Sequence, residues 1–163
     1  MSGNDIEIDG ISIEAIVRAV PHAREIGMKL ERVEAGRIIM SLPYDERLIG
    51  NPETGVLHGG VITTLVDMAC GMAVWSSLDE MAPIATLDLR IDYLHPAVPG
   101  KTLFADGVCY KKTRNIAFAR GIAYHDDPDD PVATTAAAFM INSAGTVPQA
   151  RDAARLLEEA ENA

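Results

Sequence analysis

Basic residues are scarce in this sequence. Its 163 residues include 14 Lys and Arg against 24 Asp and Glu, for a formal net charge of -10. A chain this acidic is repelled by nucleic acid and by anionic membrane surfaces, so neither is expected as a partner. Cysteine is rarer still. Cys70 and Cys109 stand in apolar segments without CxxC spacing or a His partner, which points to two reduced thiols and gives no support for a disulfide framework or a metal site. There is no uncharged apolar run of about eighteen residues, and the acidic start MSGNDIEIDG lacks the basic and apolar parts of a signal peptide. The expectation is a cytoplasmic protein that does not enter a membrane. A Gly-x-Ser-x-Gly elbow is also missing, which removes a common carrier of a Ser-His-Asp triad.

What is present is an ordinary globular composition, 48% hydrophobic and 23% charged, at a length suited to one domain with its own core. Gly10 to Glu25 reads as a short helix, with Ser12 as N-cap, Ile13, Ile16, Val17 and Val20 at helical spacing, and Pro21 limiting it. MKLERVEAGRIIMSLPY alternates and turns at Glu34-Ala35-Gly36, a two-stranded hairpin. A loop from Asp45 to Leu57 precedes an apolar helix from about Gly60 to Leu78. Next, IATLDLRIDYL, KTLFADGVCYKK, NIAFARGIAYH and PVATTAAAFMIN alternate as four strands separated by turn segments. The final VPQARDAARLLEEAENA places Ala153, Leu156, Leu157 and Ala160 on one stripe of a tail helix. No repeat or low-complexity linker interrupts the order. Long strands joined by tight turns make an antiparallel sheet. The long helix is apolar on nearly all sides, from Val61 to Trp75, and has to be enclosed. A six-stranded antiparallel sheet curled around it would do so, an α+β arrangement of the hotdog type.

One residue conflicts with so apolar a helix. A buried carboxylate without partners costs several kcal/mol or takes up a proton, so Asp67 either bonds a Thr63 or Thr64 hydroxyl, reaches water, or has a function. His58-Gly59-Gly60 leads directly into this helix, so unpaired N–H groups point from its N-terminus with no side chains in the way, a site for an oxyanion. Gly60 and Asp67 share a helical face but lie roughly 10 Å apart along the axis at about 1.5 Å per residue. A reacting carbonyl carbon must be within about 3–3.5 Å of its attacking group while its oxygen reaches the donors. Two helices antiparallel across a twofold axis provide both more readily than one chain, so at least a homodimer with two shared sites is expected. Lys101, Lys111, Lys112, Arg114 and Arg120 fall close together, either as a solvated strand face or as a phosphate-binding group.

NPETGVLHGGVITTLVDMACG, together with TLDLRIDYLHPA and GKTLFADG, resembles the PaaI-like acyl-CoA thioesterases of the hotdog superfamily, over roughly Gly27 to Asn142. The resemblance implies an enzyme that hydrolyses a coenzyme A thioester to the free acid and CoA-SH. It makes Asp67 the general base or nucleophile and the Gly59 amide the donor to the thioester carbonyl. Asn51 would assist that donor, His58 would orient the preceding loop, and Thr86 would hold the water or the carboxylate. The coenzyme A phosphates would meet Lys112, Arg114 and Asn115, with Arg90 nearby. Coenzyme A is here part of the substrate, and no cofactor is expected. A homotetramer, a dimer of dimers, is common in the family. The domain expectation is a helical extension over 1–26, a hotdog thioesterase domain over 27–143 and a helical tail over 144–163. Two other readings stay open. One is an enoyl-CoA hydratase or dehydratase on the same fold, although neither a His near the helix acid nor a HxxGxPxxPG loop is present. The other is a non-catalytic acyl-CoA-binding protein. His95 at a strand end, and His125 beside DDPDD, read as structural or solvated residues.

Overall fold

The computed structural model describes residues 6–8 and 11–142. Six strands, β1 (Lys29–Glu34), β2 (Arg37–Leu42), β3 (Ile84–Tyr93), β4 (Leu103–Lys112), β5 (Ile116–Tyr124) and β6 (Ala133–Ile141), form one sheet in the order β1-β2-β4-β5-β6-β3. Every pairing is antiparallel. The chain passes from β2 through helix α3 (Gly59–Trp75) to β3, which lies on the far edge beside β6. This is the expected hotdog arrangement, and the four alternating segments become β3 to β6.

Small residues explain how the sheet reaches the helix. Ala105, Gly107, Ala117, Ala119, Gly121, Ala123, Ala133 and Ala137 are buried along β4, β5 and β6. A Cβ at Gly107 would lie 2.6 Å from the Ala69 carbonyl carbon and oxygen and 2.8 Å from the Cys70 nitrogen. The backbones of β4 and α3 therefore meet where no side chain fits. Against this surface α3 packs Ile62, Leu65, Val66, Ala69, Cys70, Ala73 and Val74, all buried.

The N-terminal segment forms two helices rather than one, α1 (Ile13–Ala19) and α2 (Pro21–Glu25). Ser12 caps α1 by accepting the Ala15 N–H at 3.1 Å, and Pro21 opens α2 at a position where its missing N–H costs little. Ile13, Ile16, Val17, Ala23 and Ile26 share one core with Met40, Leu42 and Leu65. The tail-helix expectation falls outside the described residues.

Helix α3 starts one residue earlier and ends three earlier than expected. The Ser76 and Ser77 hydroxyls donate to the carbonyls of Ala73 and Val74, satisfying last-turn groups that a further turn would have used. Its enclosure is also partial. The sheet covers one side of α3, while Gly60 is exposed and Thr63, Thr64, Asp67 and Met68 are only partly covered.

Candidate active site

His58 caps α3 with extended backbone, and its Nδ1 accepts the Gly60 N–H at 2.9 Å, which requires that nitrogen to be unprotonated. The Val61 N–H reaches the His58 carbonyl at 2.9 Å. Between them, the Gly59 N–H has no acceptor among the described residues. It is a free donor at the positive end of a seventeen-residue helix. His58 also ties the preceding loop to this point, because its own N–H donates to the Leu48 carbonyl at 2.9 Å.

Two turns along α3, Asp67 is half-buried. Its carboxylate Oδ1 accepts the Thr86 hydroxyl of β3 at 3.0 Å. No cation pairs with it among the described residues. Burial raises its pKa above the ordinary carboxylate value, and the Thr86 hydrogen bond opposes that rise. Asp67 thus retains proton affinity that a salt-bridged carboxylate loses. Cys70, fully buried on the next turn, is no rival nucleophile, since burial above all pushes its thiol up to about 12.

The structure pairs His58 with the Gly59-Gly60 start of α3 and Thr86 with Asp67 two turns along, while Asn51 lies in the preceding loop. The Asn51 side-chain oxygen accepts the Glu53 N–H at 2.9 Å, and its backbone carbonyl accepts the N–H of Thr54 and Gly55. That contact shapes the turn and engages the side-chain oxygen, not the amide nitrogen that would donate to a carbonyl. The turn nevertheless lies against the motif, for a Cβ on neighbouring Gly50 would fall 2.9 Å from the His58 Cα.

The expected phosphate contacts gather elsewhere. Lys112 donates to the Ser77 carbonyl just beyond α3, while Arg114 and Asn115 lie in the turn between β4 and β5. The Ser77 carbonyl lies just past the far end of α3, whose seventeen residues span roughly 25 Å at about 1.5 Å each. Arg90 forms an exposed ion pair with Asp92 at 3.1 Å. The wider basic group is divided as well: Lys101 pairs with Asp126 at 2.5 Å, and Arg120 lies over the Tyr110 ring at 5.9 Å. His125 is structural, accepting the Val98 N–H at 2.9 Å on Nε2 and lying 2.8 Å from the Thr102 carbonyl on Nδ1.

Sequence reasoning missed Tyr93 and gave Thr63 only as a possible partner of Asp67. The Tyr93 hydroxyl donates to the Gly59 carbonyl at 2.8 Å. The Thr63 hydroxyl lies 3.1 Å from that carbonyl and 2.8 Å from the Tyr93 oxygen. Two hollows flank this start of α3. One, of about 430 Å³, is lined by Ile26, Leu48, Ile49 and Val61 with His22 and Arg47; the other, of about 370 Å³, is lined by Val56, Gly59, Ile62, Tyr93 and Leu94.

Comparison with known proteins bears on the family and the fold. Residues 54–132 match the family described as Thioesterase superfamily. The medium/long-chain acyl-CoA thioesterase YigI of Escherichia coli K12 is 30% identical over 141 residues, spanning 78% of this chain and 90% of its own length. A Pseudomonas aeruginosa protein of known crystal structure is 43% identical, with a TM-score of 0.72 over 78% of this chain and 95% of that one. The E. coli PaaI protein of the phenylacetic acid degradation operon, 19% identical, shares the fold with a TM-score of 0.71 over 81% of this chain and 91% of its own. By sequence and by fold, the chain belongs to the thioesterase superfamily.

Proposed function

We propose that this protein is an acyl-CoA thioesterase that works as at least a homodimer, with Asp67 of one protomer and the Gly59 amide of its partner acting on one thioester. The observation that carries the reading is a half-buried carboxylate that, among the described residues, is paired only with a hydroxyl, on the same helix as an N-terminal amide with no acceptor among them. The thioesterase YigI, 30% identical to this chain, supports the substrate class.

Asp67 accepts a proton from water as the water oxygen attacks the thioester carbonyl carbon. The charge that develops on the carbonyl oxygen lies against the Gly59 N–H, where a fixed donor at a helix N-terminus is most effective. Collapse of this intermediate breaks the C–S bond, and the departing thiolate takes the proton from Asp67. Direct attack by the carboxylate, followed by hydrolysis of the anhydride, would use the same two groups. Thr86 holds Asp67 in place, and His58 occupies the Gly60 amide so that Gly59 remains the available donor. The hollows beside Gly59 and Gly60 offer apolar lining for the acyl chain and the pantetheine arm, and Arg114 and Asn115 are the candidates for the distal phosphates.

Gly59 and Asp67 are eight residues apart on α3, or about 12 Å along its axis, too far to serve one carbonyl within a chain. Among the described residues, β3 is paired only through β6, which leaves the backbone groups of its outer edge without a strand partner there. Leu87 and Tyr93 on this strand are 50% and 51% exposed. An edge of ten residues invites pairing with a second copy, and such pairing would bring the two copies of α3 alongside each other.

Thiol release from straight-chain, branched and aromatic acyl-CoAs tests the activity. Wild type should turn over at least one class, with kcat for Asp67→Asn lower by about 10²–10⁴. Equal turnover by wild type and variant would reduce Asp67 to a structural residue.

A further inference from the structure

We propose that Tyr93, with Thr63, is a positioning pair that fixes the oxyanion donor, so that each β3 steadies the donor of one shared site and the carboxylate of the other. This rests on the thioesterase reading and extends it to residues outside the His-Gly-Gly motif. The peptide joining Gly59 and Gly60 is a rigid plane, restrained at both edges. On one edge its N–H is bound by His58 Nδ1 at 2.9 Å. On the other, its carbonyl receives the Tyr93 hydroxyl at 2.8 Å and faces the Thr63 hydroxyl at 3.1 Å.

The preceding plane carries the free Gly59 N–H and is restrained at its carbonyl by Val61. Gly59 is the joint between the two planes. It is also the residue whose backbone would wander most, because it has no Cβ. A side chain there is disfavoured by the same contact, since a Cβ would lie 3.2 Å from the Tyr93 oxygen. The phenol therefore occupies the space that glycine leaves and holds the joint that glycine loosens.

Tyr93 ends the strand that carries Thr86. β3 thus grips α3 twice, through Thr86 at the carboxylate and through Tyr93 at the donor. Any shift of this edge strand would move both groups together. Dimer assembly through the same edge would then align the sites as it forms them.

Steady-state kinetics of Tyr93→Phe, Thr63→Val and the double variant test the proposal, alongside hydrogen exchange over residues 58–64. Tyr93→Phe keeps the ring and removes only the donor. It should lower kcat by about threefold to tenfold, the worth of one hydrogen bond, with KM within twofold and the pH midpoint of kcat unchanged. A merely structural loss would reduce the folded fraction without separating kcat from pH response in this way. The double variant should be no slower than the product of the two single effects, because both hydroxyls serve one carbonyl. Exchange over 58–64 should quicken in Tyr93→Phe. Wild-type kcat and unaltered exchange in Tyr93→Phe would overturn the proposal alone. If wild type hydrolyses no acyl-CoA, the thioesterase reading falls with the catalytic part of the proposal, and unchanged exchange would remove the positioning part as well.

Discussion

Gly107→Ala tests how closely the helix and sheet must meet. The added methyl would sit 2.6 Å from the Ala69 carbonyl, where ordinary contact begins at 3.4 Å. α3 and β4 must therefore separate by about 0.8 Å, and the obstructing atoms are backbone that no rotamer change can move. Overpacking of this kind costs about 1–3 kcal/mol, and the rigid obstacle places Gly107→Ala near the upper end. For a chain of this size, about 3 kcal/mol corresponds to a fall in Tm of roughly 6–12 °C. Ala69 is two residues from Asp67, so the displacement should also disturb the Thr86 contact and lower kcat. Thermal melting followed by circular dichroism, with thiol release on the same preparation, measures both effects. A melting point within a degree of wild type with full activity would refute the claim that close backbone packing positions the site.

Thr86→Val should lower kcat by no more than about tenfold, less than Asp67→Asn, and should move the midpoint of the kcat–pH profile upward because it removes the bond that opposes the burial effect on Asp67; a downward shift would reverse the role of Thr86. The raised pKa of Asp67 means that the folded chain holds its proton more tightly than the unfolded chain, so this group costs stability as pH rises through the raised value. Asp67→Asn should therefore melt above wild type near pH 8, with the gap closing near pH 4; a gap that widens on acidification would contradict the burial of this carboxylate. Arg114→Ala should raise KM for acyl-CoA more than it lowers kcat, as expected of a contact felt equally in ground and transition states; an unchanged KM would remove Arg114 from coenzyme A binding.

The strands were readable because alternation is a local property, and the hairpin at Ala35-Gly36 because Gly36 adopts the positive φ of 77° that its turn requires. Asp67 was conspicuous through its cost, a charge placed among Val66, Met68 and Ala69. Contacts across the fold were less accessible. Tyr93 reaches Gly59 from 34 residues away, and nothing near either residue marks the pairing. Lys112 is drawn to the Ser77 carbonyl, an acceptor whose location depends on where α3 ends. The partial exposure of α3 also escaped a reading based on hydrophobicity, because Gly60, Thr63, Thr64, Asp67 and Met68 make only a narrow stripe on an otherwise apolar helix. Asn51 stands at the expected distance before His58, but sequence spacing does not reveal which backbone N–H its side chain will accept.

The shared site is tested most directly by purified mixed dimers, made by co-expressing differently tagged Asp67→Asn and Gly59→Pro chains. Proline is tolerated at the first residue of a helix, so at Gly59 it deletes the donor N–H without breaking α3. The extended His58 before it, at ψ 133°, is also compatible. The added Cβ, 3.2 Å from the Tyr93 oxygen, also presses on the hydroxyl that holds this donor. Each homodimer should be inactive. In a mixed dimer one site receives both defects and the other neither, so about half of wild-type activity should return. Folded mixed dimers as inactive as their parents would mean that each site is built within one chain, contradicting the pairing of Asp67 with the partner's Gly59.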